Sequence, residues 1–252
     1  MRSFLTIFFI FAFSLIAQAA SFTAPPKVIS DIDPDIIKTI NIRLSNHLDN
    51  LKVIPDAKRE PIIKSETTQA TQPFGYYSPK IEYFPQNNTL TVELGPQTTI
   101  RTIQIQTTNT IKEQLQDEIV TLKNKFMHKP FTSKEYSQLK NKLIELLRND
   151  GYRNATIHQP EAILSQPNKE FADINVTFKL GPQFTISDIH FVGDSLAPSF
   201  LMRFNPIPIN SPYNQTLIQQ LRDNLNESGL FSSVIIREMI DGKTIPLTVE
   251  YQ

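Results

Sequence analysis

Residues 173 to 180 read DINVTFKL, with Ile174, Val176, Phe178 and Leu180 alternating with polar partners. The same alternation returns at Leu90, Val92 and Leu94, and again at Ile245, Leu247, Val249 and Tyr251. Strict alternation predicts a strand with one face buried and the other wet. Helical periodicity lies between these strands, in IKEQLQDEIVTLKNKF (111–126) and SKEYSQLKNKLIELLRN (133–149). The second of these sets Tyr136, Leu139, Leu143 and Leu147 on one face, opened by the capping pair Thr132 and Glu135. After Gly151 a short strand is expected around Ala155 to Gln159, cut off by Pro160.

The pattern repeats. Residues 94–108, LGPQTTIRTIQIQTT, and 180–194, LGPQFTISDIHFVGD, match in order. Ile100, Ile103 and Ile105 correspond to Ile186, Ile189 and Phe191, and in both copies the alternation slips between the first and second residue. A shared slip predicts a β-bulge at one place in both strands. Gly75, Gly151 and Gly229 recur at nearly equal intervals, each closing a helical stretch before a strand, as left-handed glycine does. Asp241-Gly242 predicts a hairpin turn.

The unit has the order β-α-α-β-β, which lays two helices over one face of a three-stranded sheet. The fold class is therefore α+β, with modules at 20–95, 96–181 and 182–252. The first is the most divergent. Its opening strand shrinks to KVIS (27–30), one helix is expected from Asp35 to Leu51, and a weakly patterned one around Ile62 to Thr71. Asp33 is expected to cap a helix beginning at Pro34.

Ahead of the repeats, MRSFLTIFFIFAFSLIAQAA carries Arg2, an apolar run from Phe4 to Ile16, and Ala17 and Ala19 in A-x-A spacing. That order predicts a secretory signal, residues 1–19, cleaved after Ala19. The apolar run is shorter than the ~20 residues a spanning helix needs. The full chain balances 25 basic against 25 acidic residues, so bulk charge offers nothing to nucleic acid. No cysteine is present, which excludes disulfides, thiol catalysis and cysteine metal sites.

The third copy, from FTISDIHFVGD through SPYNQTLIQQL and SGLFSSVIIREM to IPLTVEY, resembles a POTRA domain, the periplasmic module of outer-membrane assembly proteins. The carrying features are Val192-Gly193, the S-P-Y before the second helix, the G-L-F after it and the closing I-P-L-T-V. Three such modules behind an export signal are most similar to the POTRA region of the TamA family. The resemblance implies a scaffold on the periplasmic face of the bacterial outer membrane. It implies an inner-membrane-anchored, TamB-like partner at module 1, unfolded outer-membrane clients, and a C-terminal β-barrel beyond this chain. The chain is then a piece of such a protein or a barrel-less periplasmic adaptor. The alternatives in the same superfamily are the POTRA part of a two-partner secretion transporter or of a cell-division protein.

Chemistry is sparse. His47, His128, His158 and His190 show no metal-ligand spacing, and no nucleophile–base pair is in view. Asp31, Asp33 and Asp35 open like an EF-hand, but Ile36 and Ile42 stand where it needs glycine and glutamate. The reading is therefore non-enzymatic, with no cofactor and no nucleic-acid partner. The POTRA resemblance makes the strand after each of Gly75, Gly151 and Gly229 a sheet edge, open to strand addition. The least protected is SVIIREM, giving Val234, Ile235, Ile236, Arg237, Glu238 and Met239 as candidate partner-binding residues. The edge Lys80, Ile81, Glu82, Tyr83 and Phe84 is also a candidate, though Pro79 and Pro85 close it in.

Overall fold

A computed structural model describes residues 22–193 and 196–252; the predicted signal lies outside the described residues. The chain forms two compact bodies, one of residues up to Thr67 with Ile81–Val92, the other of Thr68–Lys80 with Glu93–Gln252.

In the first body, strands β1 (Lys27–Val28), β2 (Lys80–Phe84) and β3 (Thr89–Glu93) are ordered β1-β3-β2, with β1 parallel to β3. The helix expected from Asp35 to Leu51 is in fact two: α1 (Pro34–Asn46) and α2 (Leu48–Val53), broken at His47. Asp33 caps α1 as expected, its carboxylate accepting from Asp35 N–H at 2.8 Å. Leu51 is fully buried, and Arg59 donates from Nε to Leu51 O (2.9 Å) and from Nη2 to Ile54 O (3.0 Å). These bonds satisfy the end of α2, where helical carbonyls lack internal partners. Arg59 also lies under the Phe22 ring, 4.5 Å from its centroid, and is itself buried. Because a buried arginine reads as polar, the helix carrying it, α3 (Asp56–Thr71), begins well before the expected Ile62. Ile36, Ile40, Leu44, Leu51, Ile63 and Leu90 are fully or almost fully buried in this body.

The second body holds two sheets of one topology. Strands β4 (Thr99–Thr107), β5 (Thr156–Leu164) and β6 (Phe171–Lys179) are ordered β4-β6-β5. Strands β7 (Thr185–Val192), β8 (Val234–Glu238) and β9 (Thr244–Tyr251) are ordered β7-β9-β8. In each, the first strand is parallel and the second antiparallel to the central one. Helices α4 (Glu113–Phe126) and α5 (Ser133–Asn149) bring Leu115, Ile119, Leu139, Leu143 and Leu147 into one core with Ile174, Val176 and Phe178 of β6. Over the third sheet, α7 (Gln215–Glu227) contributes Ile218, Leu221 and Leu225. The first helix of that module is reduced to one turn, α6 (Pro198–Leu201), followed by a 3-10 turn.

Both expected bulges are present, as register shifts between Ile100 and Thr102 and between Ile186 and Ile189. At the first, Arg101 and Thr102 converge on Asp173 of the neighbouring strand. Arg101 Nε donates at 3.0 Å and Thr102 Oγ1 at 2.7 Å, and a second guanidinium nitrogen pairs with the other carboxylate oxygen. These bonds hold the Asp173 carboxyl below its ordinary range.

Two local expectations need correction. Strand β5 is not cut at Pro160 but runs through it to Leu164, with Pro160 paired to Val176. An edge strand tolerates proline where the missing N–H would have faced solvent. The capping box of α5 is half made. Thr132 accepts from Glu135 N–H at 3.1 Å, while the Glu135 carboxylate takes Lys129 Nζ at 3.3 Å.

Candidate functional site

In every sheet the strand after the helix-closing glycine is an edge, as β2, β5 and β8. The opposite edges are not equally open. The start of β4 is covered by 128–130, through His128 N–H to Ile100 O and Ile100 N–H to Lys129 O. The start of β7 is covered in the same way by Asn210 and Ser211 bonded to Ile186. These cover segments carry no periodic signal, so the sequence pattern misses them.

Strand β8 carries no proline. Its register pairs Val234 with Tyr251, Ile235 with Glu250 and Arg237 with Thr248, and Met239 N–H bonds Pro246 O just beyond the strand. Antiparallel pairs alternate between hydrogen-bonded and non-hydrogen-bonded. Since Met239 bonds inward, so do Ile235 and Arg237, and the main-chain groups of Val234, Ile236 and Glu238 face the open edge. Side chains split the same way. Ile236 is buried, while Ile235 is 47% and Met239 61% exposed. Arg237 lies across β9 with Nε 2.7 Å and Nη2 3.1 Å from the Glu250 carboxylate.

The other candidate edge is shorter of open main chain. Strand β2 buries Tyr83, whose hydroxyl donates to Asn88 Oδ1 at 3.1 Å; Ile81 is half-buried, and Lys80, Glu82 and Phe84 are exposed. Lys80 reaches Glu93 at 3.7 Å. With prolines at both ends, its free donors are limited to a few residues.

The repeated L-G-P-Q acquires its meaning at the glycines. Gln183 folds back over Gly151 and donates from Nε2 to Asp150 O at 2.6 Å, while Phe184 N–H bonds Gly151 O at 2.9 Å. Gln97 does the same to Phe74 O at 2.7 Å, and Thr98 N–H bonds Gly75 O at 2.8 Å. A Cβ on Gly151 would stand 2.6 Å from Gln183 Cγ, and on Gly75 3.0 Å from Gln97 Cγ. Two residues past each glycine, the side chain meets the aromatic that precedes a helix N-cap. Tyr77 stacks on Phe131 at 5.7 Å, and Arg153 lies 5.9 Å from the Tyr213 ring.

The joint between the second and third modules also reaches β8. Arg153 Nε is 2.6 Å from Glu238 Oε2, and Tyr213 donates to Glu238 Oε1 at 3.4 Å. Asn149 bonds Thr216 twice, from Nδ2 to Oγ1 (2.8 Å) and from Thr216 N–H to Oδ1 (3.1 Å). Burial, reinforced by the Glu238 charge, pushes the Tyr213 hydroxyl up to about 12, and burial does the same to Tyr77. The inner end of β8 is thereby anchored, and the rest of the edge stays open.

Among the described residues no cluster of three or more His, Asp or Glu could hold a metal, and no helix is long and apolar enough to cross a membrane. His190 is exposed on its strand beside Asp188, 3.0 Å away.

No family model matches the chain, and no curated protein matches it. Solved structures do. The POTRA 3–5 segment of BamA from Haemophilus influenzae is 16% identical with a TM-score of 0.50, the match covering 91% of this chain and 96% of that one. BamA from Haemophilus ducreyi lacking POTRA domains 1–3 is 18% identical with a TM-score of 0.53, over 61% of this chain. The match covers only 29% of that longer chain. Likeness at these identities is likeness of fold. The chain has the fold of tandem POTRA domains.

Proposed function

We propose that this protein is the periplasmic POTRA scaffold of a TamA-type outer-membrane assembly and translocation factor. It is exported by its N-terminal signal and works at the periplasmic face of the outer membrane. Its modules, at 20–95, 96–181 and 182–252, take up unfolded outer-membrane client segments, including autotransporters, by strand addition. Module 1 faces a TamB-like inner-membrane-anchored partner, and module 3 leads toward a β-barrel. No catalysis or cofactor is assigned to it.

The observation that carries this reading is the β8 edge. It has no proline, its inner end is pinned by Arg153, and three residues turn their main-chain groups outward. A sheet edge of this kind binds extended segments through main-chain hydrogen bonds, largely independent of their sequence. Fold likeness to BamA POTRA domains supports the setting.

The test is a photo-crosslinking scan in cells that make the protein. A photoreactive residue replaces Val234, Ile235 or Met239, with Glu118 on the exposed face of α4 as control. Adducts with outer-membrane proteins are expected at the three edge positions and not at Glu118. An empty scan at all three, with normal protein levels, would refute the assignment.

A further inference from the structure

The three helix-closing glycines share a backbone but not their surroundings. All are left-handed, with φ of +90° at Gly75, +96° at Gly151 and +69° at Gly229. Gly75 and Gly151 are buried under Gln97 and Gln183, and the residue after each glutamine, Thr98 or Phe184, donates its N–H to the glycine carbonyl. Gly229 is exposed, with nothing within 4 Å of a built Cβ. Among the described residues no main-chain N–H reaches its carbonyl. The residue after the glycine follows suit: Tyr152 is buried, Tyr76 is half-buried and Leu230 is 53% exposed. Module 3 thus ends on the same turn as modules 1 and 2, but shows it to solvent.

The covering glutamines come from one place in each module. Each lies three residues past the one that closes the alternation of the central strand, Gln97 after Leu94 and Gln183 after Leu180. In β9 that closing place belongs to Tyr251, which is buried. Gln252 then pairs with the residues just past the glycine turn, through Ser232 N–H to Gln252 O (2.7 Å) and Gln252 N–H to Ser233 O (3.1 Å). The chain therefore leaves β9 beside Gly229. Where Tyr77 and Arg153 reach into the next module, Phe231 instead meets Tyr251 edge-on at 5.2 Å. The outward contacts left are Gly229 O and Leu230.

We propose, resting on the reading of module 3 as leading onward, that the Gly229–Leu230 turn is a docking site for the polypeptide continuing from β9. A side chain about two positions past Gln252 folds over Gly229, as Gln97 and Gln183 fold over theirs. The following main-chain N–H takes Gly229 O, and the same stretch draws part of Leu230 out of water. The chain then leaves module 3 along a fixed path instead of a free linker, whose ends would wander. The β8 edge accordingly keeps one orientation to whatever the chain enters next.

The test has two readings. In cells making the full-length protein, a photoreactive residue replaces Leu230, and crosslinked peptides are mapped by mass spectrometry. The expected link is within one chain, to residues a few positions past Gln252; a link to another protein, or none, overturns the docking. The second reading compares Gly229→Ala in the 252-residue chain and in the same chain extended by its own next residues. In the extended chain the alanine should lower the urea midpoint by about 1 M more, because its methyl now meets the covering side chain. Equal losses overturn the docking and leave the onward chain standing. A reading frame that stops at Gln252 overturns both, and the β8 crosslinks still judge strand addition separately.

Discussion

Gly151→Ala tests the joint that the repeated L-G-P-Q builds. Gly151 has φ +96°, and its missing Cβ would sit 2.6 Å from Gln183 Cγ and 3.0 Å from Phe184 O. Two costs follow. An alanine held at positive φ costs about 1–2 kcal/mol, and forcing a methyl into a filled site typically adds about 1–3 kcal/mol. Gln183 cannot simply swing away, because its amide is bonded to Asp150 O. The sum is about 2–5 kcal/mol. Gly229 supplies the control, since it also has positive φ (+69°) but nothing within 4 Å of a built Cβ. Gly229→Ala should cost only the backbone part, about 1–2 kcal/mol. Gly75→Ala, with its nearest contact at 3.0 Å, should fall between the two. The assay is urea unfolding followed by circular dichroism, in which an extra 2 kcal/mol moves the midpoint by about 1 M. Removing the obstruction should partly rescue. Gly151→Ala with Gln183→Ala should cost less than the two single changes added together. Equal losses at Gly151 and Gly229, or strict additivity with Gln183→Ala, would refute the close-packed joint.

Arg153→Ala and Glu238→Ala should show a coupling of about 1 kcal/mol in a double-mutant cycle, since the pair is only part-buried; no coupling would mean the ion pair does not tie β8 to the joint. Asp173 has a lowered folded pKa, so its stabilisation is present above the ordinary carboxylate value and is lost as pH falls through the lower folded one. Asp173→Asn should therefore lower stability at neutral pH and flatten the acid limb below about pH 4. An unchanged acid limb would contradict the Arg101–Asp173 assignment. Of the seven tyrosines, Tyr77 and Tyr213 should ionise late, near 12, in an ultraviolet pH titration of the folded chain. Because both pKa values are raised, their stabilising effect is complete below about pH 10 and is lost as pH climbs toward 12. Tyr213→Phe should remove one late-titrating group; loss of an early one instead would place Tyr213 in water.

Much of this architecture was legible in the chain. Alternation at Ile174, Val176 and Phe178 located a one-sided strand, and the slip shared by Ile100/Ile103 and Ile186/Ile189 located the bulges. Periodic patterns carry this information because a strand or helix buries one face, so the chain must write that face at fixed intervals. The β8 edge was also reachable, through the resemblance and the lack of proline from Ser233 to Met239.

Tertiary structure alone decided the rest. Arg59 reads as a surface residue yet is buried under Phe22, donating to the carbonyls of Leu51 and Ile54 at the end of α2. Pro160 reads as a strand breaker, and only its place on an edge makes it harmless. Arg153 and Glu238 stand 85 residues apart and share no local pattern, yet their contact pins the end of β8. The L-G-P-Q repeat announced that something recurred, but not that its glutamine folds over the glycine before it. Periodicity records which face of an element is buried, a property each segment holds by itself. The joint and the cover segments depend on where whole modules sit, and that position is set by packing between residues distant along the chain.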